Sequence, residues 1–469
     1  MAFKIAQGFV YLVPFAVVIV TPATLFPFIV GKYVWFRSCI DLALIFFLLG
    51  MMLDPVRARE MTRRLADAFG KPLVIAVTVF VAAFELACLF GVNPAYSFWS
   101  NFERGEGGFQ MLHLYVFFLL IILLFRTRRD IHRLLWVSVF SAAAMSAYGA
   151  ASILKYVDLP VEIQQGPDAV REVVTGNGGP WFQTFQGFVG QSPAMPGYRF
   201  QGSIGSAPYT SAYMLFILAY AFMLWQDGAR TKASRAFSAL MAGILLLLAG
   251  IFFYSGTRGA FIGAATGLLV FFGYVAITIK KLRRWVIVFG ALAVLFVVGM
   301  AVGLRDSPLL KTNVFLRIFD LSIFSHTFSN RIIMWQIAWE GFLRRPVFGW
   351  GPENFSAIFY EYFQPRYYVP GKVYEEWFDR AHSVFFDYLS ETGIVGLLSY
   401  ISIYVVYYWE TVVRRPPEGS VWIRALMFAF PITYLIQGGV LFEVLVIYMN
   451  LILFLAVISW RIYFDQEAT

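Results

Sequence analysis

Charged residues are scarce in this chain. Only 14% of its 469 residues are Asp, Glu, Lys or Arg, whereas a soluble domain carries about a quarter, so an ordinary soluble domain is excluded. The two cysteines, Cys39 and Cys88, both fall inside apolar runs, which indicates packing residues rather than a disulfide or a metal pair. The chain also lacks a Walker-type phosphate-binding glycine loop, so nucleotide hydrolysis is not indicated.

Histidine is equally rare. No two of the four histidines, His113, His132, His326 and His382, have the spacing of metal ligands, so we expect neither a metal ion nor another cofactor. The net charge of +9 does not indicate a nucleic-acid partner. Most of the surplus lies in short connectors between apolar runs, which is the pattern of a membrane protein.

Long apolar runs are what the chain has in abundance. Hydrophobic residues make up 59% of it, and the mean hydropathy is +0.69. The runs are ~17–22 residues long, enough for a helix to cross the ~30 Å core of a bilayer. The sequence therefore predicts an all-α polytopic membrane protein with a single domain over 1–469. About twelve spans are expected, with boundaries near 6–22, 33–53, 72–92, 109–125, 134–154, 208–225, 236–254, 259–279, 285–303, 386–411, 425–440 and 445–462.

The connectors between these spans alternate in character. The short basic ones, which the positive-inside rule places in the cytoplasm together with both termini, are 57–71, 126–133, 230–235, 280–284 and 414–424. Two long loops, about 155–207 and 304–384, then face the periplasm or the cell exterior. Aromatic residues such as Trp181 and Trp377 and the turn-forming stretch 176–180 indicate folded loops near the interface. No small-residue cleavage site follows the first apolar stretch, so the first span is expected to be retained.

The second outer loop is predicted to be partly helical. Ser329 and Asn330 are favourable N-cap residues, and Pro346 would end a helix over 331–345. Arg331 would then lie in the first turn, beside backbone N–H groups that favour an anion. A solvated loop arginine is the alternative interpretation.

Two further arginines are candidates for phosphate contact. Arg258 lies in the stretch 254–259, which breaks two apolar spans without room to leave the membrane boundary. Its side chain either extends to lipid headgroups or binds phosphate oxygens, for which a guanidinium fork is suited. Arg199, at the end of the first outer loop, is a candidate third contact.

His382 is the candidate general base. It lies at the end of a polar stretch and just before an apolar run, and an imidazole can exchange a proton near neutral pH. A helix beginning there, with its positive N-terminal end, and nearby arginines should lower the pKa of His382 and keep the ring neutral. One base and several fixed cations indicate chemistry on a lipid-carried phosphate ester, although an interfacial hydrogen bond without chemistry is the alternative.

Several charged residues are candidate supporting groups. Glu85 lies within the third predicted span, where an acid needs a partner or a cavity. Asp379 and Glu391 flank His382 and could orient the ring, bind sugar hydroxyls or form structural ion pairs. Arg380 lies beside them.

These elements together resemble the O-antigen ligase and O-antigen polymerase superfamily of bacterial membrane glycosyltransferases. The resemblance extends over most of the chain. It is carried by residues 98–104 (FWSNFER), 255–259 (SGTRG), Arg331 with Trp335 a turn later, 348–355 (FGWGPENF), 377–382 (WFDRAH) and 393–396 (GIVG).

The resemblance implies an enzyme of the bacterial inner membrane whose active site faces the periplasm or the cell exterior. Its donor would be a glycan on undecaprenyl pyrophosphate. Arg258 and Arg331 would bind the pyrophosphate, and His382 would remove the proton from an acceptor sugar hydroxyl. The reaction would invert the anomeric carbon without a metal ion.

Three functions follow from this resemblance and from the composition. The leading hypothesis is a ligase that transfers the glycan to a glycolipid such as lipid A-core. A polymerase, which would use a second lipid-linked glycan as acceptor, is the alternative of the same reaction type. A lipid or polysaccharide transporter is the alternative of another class, and it would require charged groups along a path through the bundle.

Overall fold

The computed structural model describes the whole chain except residues 25, 158–197, 231–233, 306, 308–309, 311–312, 320–325, 364–377, 415–419 and 466–469. All regular structure in the described residues is helical. The α-helices in chain order are α1 (Ala2–Leu12), α2 (Val30–Leu53), α3 (Pro55–Phe69), α4 (Pro72–Phe90), α5 (Pro94–Trp99), α6 (Gly108–Leu124), α7 (Arg128–Val157), α8 (Ala207–Arg230), α9 (Arg235–Tyr254), α10 (Arg258–Thr278), α11 (Arg283–Gly303), α12 (His326–Arg344), α13 (Phe355–Tyr362), α14 (Val384–Glu391), α15 (Gly393–Tyr408), α16 (Val421–Gly438) and α17 (Leu445–Tyr463).

The predicted fold class is confirmed. Ten helices in the described part of the chain are long and apolar enough to cross a membrane, and two shorter apolar segments, Ala2–Val18 and Gly108–Leu124, match the remaining predicted spans. Trp181, Trp377 and the predicted turn at 176–180 lie outside the described residues. The protein is therefore an all-α polytopic membrane protein.

Local sequence signals explain where several helices begin. Pro55, Pro72 and Pro94 each occupy the first position of a helix, where the missing N–H is not needed. Asp54 caps α3 by accepting a hydrogen bond from the Arg57 amide at 3.1 Å. Most of the basic connector predicted over 57–71 is therefore helical, because α3 extends to Phe69.

The spans differ in how deeply they lie in the bundle. In α17, 83% of the most apolar stretch is buried, whereas in α11 none of it is. Among the described residues, α11 packs mainly against α10 and the 3-10 helix Leu316–Phe319. Apolar side chains on its remaining surface, such as Phe289 at 63% exposure, suit contact with lipid.

The connectors form two ends of the bundle. At one end, Lys32 donates hydrogen bonds to the carbonyls of Ile19 at 2.6 Å and Ser203 at 2.7 Å, and the Leu445 amide donates to Glu106 at 2.7 Å. At the other end, Arg128 pairs with Asp465 at 2.9 Å. We call the first the site end, because His382 lies there, and the second the basic end.

The predicted span over 386–411 is wrong at its start. The chain first forms the short helix α14, turns at Gly393 (φ +65°) and only then begins α15. The amides of Trp350 and Gly351 donate to the carbonyls of Ser390 at 3.0 Å and Glu391 at 2.8 Å. These bonds satisfy the carbonyls at the end of α14, and a left-handed glycine ends a helix at little cost.

The predicted helix over 331–345 is also wrong at its start. The described helix begins at His326, so Ser329 and Asn330 lie inside it and Arg331 is not in its first turn. Phe328, seven residues before Trp335, packs edge-to-face on it with ring centroids 5.8 Å apart, and this contact favours the longer helix. The predicted end is confirmed, because α12 stops before Pro346.

Candidate functional site

Three non-glycine residues have a left-handed backbone in the described part of the chain, and all three lie at the site end. They are Ser100 (φ 63°), Glu353 (φ 70°) and His382 (φ 58°). The Ser100 hydroxyl donates to Glu353 Oε2 at 2.9 Å, which joins two of them directly. Such conformations cost free energy in side chains other than glycine and cluster at functional sites.

The turn at His382 is held by several contacts. Its Nδ1 lies 3.2 Å from the Arg380 carbonyl oxygen. Because a carbonyl can only accept a hydrogen bond, the neutral ring carries its proton on Nδ1 and keeps the lone pair on Nε2. The amide of Ala381 donates to Asp387 Oδ1 at 2.6 Å. His382 directly precedes Ser383, which is the N-cap residue of α14.

Aromatic rings surround the imidazole. Phe378 and Phe442 meet it edge-to-face, with ring centroids 5.6 Å and 5.0 Å away. The pKa of His382 is lowered to about 4, mainly by burial, and the charge of Arg331 contributes to this lowering. The prediction that the pKa of His382 is lowered is therefore confirmed. Burial causes most of this lowering, more than the charge of Arg331 does. The ring is thus a neutral hydrogen-bond acceptor over the physiological pH range.

Arg380 anchors the turn from within the protein. It is 6% exposed, forms an ion pair with Glu353, and donates from Nη1 to Glu391 Oε1 at 3.1 Å. Glu106 lies 3.9 Å from its Nη2. We call Glu106, Glu353, Asp387, Glu391 and Glu443 the carboxylate group, because all five are buried around this part of the chain.

The two carboxylates that flank His382 in sequence do not orient its ring directly. Asp379 pairs with Arg104 at 2.6 Å, and Glu391 pairs with Arg380. The Arg380 carbonyl is the hydrogen-bond partner that sets the ring orientation. Arg104 also lies over the Phe442 ring, 5.0 Å from its centroid, so Phe442 contacts both this ion pair and the imidazole.

Arg258 and Arg199 lie close together at the site end. Arg258 is the first residue of α10, a position that adds backbone N–H groups to its guanidinium. Arg199 lies beside Gly256, since a Cβ at that glycine would be 3.6 Å from Arg199 Cδ. The Phe200 amide donates to the Tyr254 carbonyl at 3.1 Å and fixes this approach.

The loop between α16 and α17 connects these arginines to His382. The backbone of Gly259 lies against Val440, so that a Cβ there would meet Val440 Cγ2 at 2.6 Å. The next residue, Leu441, accepts a hydrogen bond from the Val384 amide at 3.0 Å, and Phe442 touches the imidazole. Three segments far apart in sequence therefore meet at one end of the bundle.

Arg331 reaches the same place from α12. Its charge acts on the His382 imidazole, and Trp335, one turn later, stacks on Phe386 with ring centroids 5.3 Å apart. We call Arg199, Arg258 and Arg331 the arginine group; all three are partly exposed.

Glu85 lies apart from this arrangement. It is on α4 beside Gly108, with no salt bridge among the described residues, whereas its neighbour Phe84 lines the cavity behind His382. Glu85 therefore does not join the groups around the imidazole.

Sequence interpretation gave no role to Arg104, Glu106, Glu353, Asp387 or Glu443. Glu106 and Glu443 each stand in a short connector between apolar helices. A buried acid at a span boundary is unusual, and that is the signal that could have singled them out. Asp387 carried the same signal as Glu85, because it lay inside the span predicted over 386–411, where an acid needs a partner or a cavity.

Fold and site together define a polytopic helical membrane protein in which a neutral histidine and a group of arginines meet at one end of the bundle. Residues 243–401 match the family model described as O-antigen ligase. The match includes Arg258, Arg331 and His382, and it supports the resemblance to the O-antigen ligase superfamily, over about a third of the chain. It implies a membrane glycosyltransferase of ligase or polymerase type. A search of curated proteins finds no match.

Proposed function

We propose that the protein transfers a glycan from undecaprenyl pyrophosphate to a sugar hydroxyl of a glycolipid acceptor. The observation that carries this proposal is the meeting of His382 with the arginine group at the site end. The family match supports the reaction class, and the basic connectors of the opposite end support an orientation in which the site faces the periplasm or the cell exterior.

In this reaction His382 is the general base. The lone pair on Nε2 takes the proton of the acceptor hydroxyl as its oxygen forms a bond to the anomeric carbon. The bond from that carbon to the phosphate oxygen breaks, and its electron pair leaves with undecaprenyl pyrophosphate. Attack on the face opposite the leaving group inverts the anomeric carbon. General-base catalysis of this kind contributes about 10²–10⁴-fold.

The arginine group binds the donor pyrophosphate. Arg258 combines a guanidinium fork with the N-terminus of a long helix, and both favour phosphate oxygens. Arg331 approaches from α12, and Arg199 lies beside the turn that carries Arg258. Fixed positive charge around the leaving group stabilises the negative charge that develops there. We expect no metal ion to be required.

The acceptor is a glycolipid such as lipid A-core in our leading proposal. A polymerase, which would extend a second lipid-linked glycan, uses the same bond changes and the same residues. The description of the matching family favours the ligase. The distinction lies in the acceptor and not in the catalytic groups.

A transfer assay with the purified protein tests the proposal. Lipid-linked donor is incubated with each acceptor in turn, with and without a chelator, and the products are separated by mass. We expect the lipid A-core acceptor to gain the mass of the glycan with chelator present. Gain of mass by the lipid-linked acceptor alone would make the protein a polymerase, and a strict metal requirement would contradict the proposed mechanism.

A further inference from the structure

A small cavity lies behind the His382 turn, and four members of the carboxylate group line it. Its walls include Glu353, Arg380, Asp387, Glu391 and Glu443. The free space is enough for about one water molecule. Apolar and aromatic side chains complete the wall, namely Phe84, Pro352, Val384, Tyr388, Phe442 and Tyr448.

Two carboxylates present an unused oxygen to this cavity. Asp387 is 8% exposed and Glu443 is 6% exposed. Asp387 Oδ1 accepts from the Ala381 amide, and Glu443 Oε1 accepts from the Tyr434 hydroxyl. The second oxygen of each, Oδ2 and Oε2, is buried and has no hydrogen-bond partner within the part of the chain that the structure describes.

The charges around the cavity do not balance if every acid is ionised. Arg380 pairs with Glu353 and Glu391, whereas Asp387 and Glu443 form no salt bridge among the described residues. Two buried carboxylates without a cation cannot both keep their charge in a medium of low dielectric constant. We propose that the cavity is a proton-binding site. Asp387 and Glu443 share one proton there, which is held on the oxygens that face the cavity.

A chain of tyrosine hydroxyls ends at this site and fixes where the proton lies. Tyr404 donates to Tyr400 at 2.9 Å, Tyr400 donates to Tyr434 at 3.2 Å, and Tyr434 donates to Glu443 Oε1. Because Oε1 receives the last hydrogen bond, a proton carried by Glu443 occupies Oε2, the oxygen toward the cavity. Tyr400 and Tyr404 lie in α15 and Tyr434 lies in α16, so the chain links two helices to the connector that carries Glu443.

Charged groups from several segments of the chain act on Asp387 and Glu443. Burial, and then the charge of Glu391, raises the pKa of Asp387, while Arg380 opposes this rise. Burial raises the pKa of Glu443 as well, and the charges of Glu106 and Asp387 add to the effect. The titratable groups that face the cavity or act on these two acids are Glu106, Glu353, Asp379, Arg380, Glu391, Tyr388, Tyr434 and Tyr448.

A proton fits the site better than a metal ion does. No cluster of His, Cys, Asp and Glu in the described residues has the arrangement of a metal site.

The proposal does not depend on glycan transfer, because it concerns the protonation of two side chains at rest. Its test can therefore fail or succeed independently of the enzymatic proposal.

Infrared spectroscopy of the full chain in lipid nanodiscs tests the site. A protonated carboxyl has a carbonyl band that a carboxylate lacks. We expect wild-type protein to show this band at pH 7 and to lose intensity as the pH rises. Asp387→Asn and Glu443→Gln should each alter the band, and the double variant should lose one carboxyl's intensity. Glu340→Gln, at an exposed position of α12, is the matched control and should leave it unchanged.

A variant of the tyrosine chain tests the site without removing a carboxyl. Tyr434→Phe deletes the hydrogen bond to Glu443 Oε1, so the carbonyl band should move to higher frequency with its intensity kept. This measurement remains informative if the double variant fails to insert. The proposal would be overturned if wild-type protein showed no protonated carboxyl at pH 7. It would also be overturned if the band were unchanged in Tyr434→Phe and kept its full intensity in the double variant.

Discussion

The arginine group and Arg380 carry the same charge but lie in different surroundings. Arg380 is buried and its guanidinium is surrounded by carboxylates, whereas the three members of the arginine group are partly exposed at the site end. A buried ion pair holds structure, and losing one partner leaves an uncompensated charge. A partly exposed guanidinium keeps donors accessible to a ligand. The exposure of the guanidinium therefore distinguishes Arg380, which positions His382, from the arginine group, which could bind the donor.

The largest expected effect comes from replacing His382, the proposed general base. His382→Ala should lower the rate of glycan transfer by about 10²–10⁴-fold, because the acceptor hydroxyl loses its general base. The initial rate of product formation with purified protein measures this loss. The variant should elute and unfold like the wild type, and a near-normal rate would remove His382 from the mechanism.

The next effect distinguishes the two kinds of arginine by stability. Arg380→Ala should lower the free energy of unfolding by about 3–5 kcal/mol, because buried carboxylates lose their cation. Arg258→Ala should impair transfer strongly while lowering the free energy of unfolding much less than Arg380→Ala does. Thermal unfolding and transfer are measured on both variants, with Arg344→Ala at an exposed position of α12 as control. Equal loss of stability in both variants would abolish the distinction.

A smaller effect tests the geometry of donor contact. Arg258→Lys and Arg331→Lys should each lower kcat/KM for the donor about tenfold or more, because a charge-assisted hydrogen bond contributes about 1.5–3 kcal/mol and lysine cannot reproduce the fork. Arg344→Lys is the matched substitution on the same helix as Arg331 and should have no effect. Wild-type kinetics in both lysine variants would argue against two-point phosphate contact.

The smallest effects are shifts of the pH profile with opposite signs. A lowered pKa keeps His382 neutral at pH values above about 4, so kcat/KM should fall only as the pH decreases toward that value. The charge of Arg331 lowers this pKa and that of Asp379 raises it. Arg331→Gln should therefore move the acid limb to higher pH, and Asp379→Asn should move it to lower pH. Shifts in the same direction would contradict the assignment of the limb to His382.

The sequence predicted the spans well because apolar length is a local property. α11 and α17 were both recognised as spans, yet one is peripheral and the other central. Their hydropathies, 2.7 and 2.1, do not reveal this difference. The place of a helix in the bundle depends on which neighbours cover it, and lipid and protein interior are similarly apolar.

The candidate site was predictable in part for the same reason. Arg258 interrupts two apolar runs and His382 precedes another, and both signals are visible within a few residues. The start of α12 was misplaced because a packing contact between Phe328 and Trp335 outweighs good N-cap residues further along. Glu443 was missed because its surroundings depend on Asp387 and Tyr434, which come from two other helices.

The left-handed backbone of His382 restricts which amino acids can replace it. Asn and Gly adopt such a conformation readily, whereas a β-branched residue such as Val does so only with strain. Loss of activity in a His382→Val variant would thus have two causes, a distorted backbone and a missing imidazole. Comparison of Asn, Gly and Ala at this position would separate the effect of a distorted backbone from that of the missing imidazole. The Asn variant should keep the backbone conformation and lose only the chemistry of the ring.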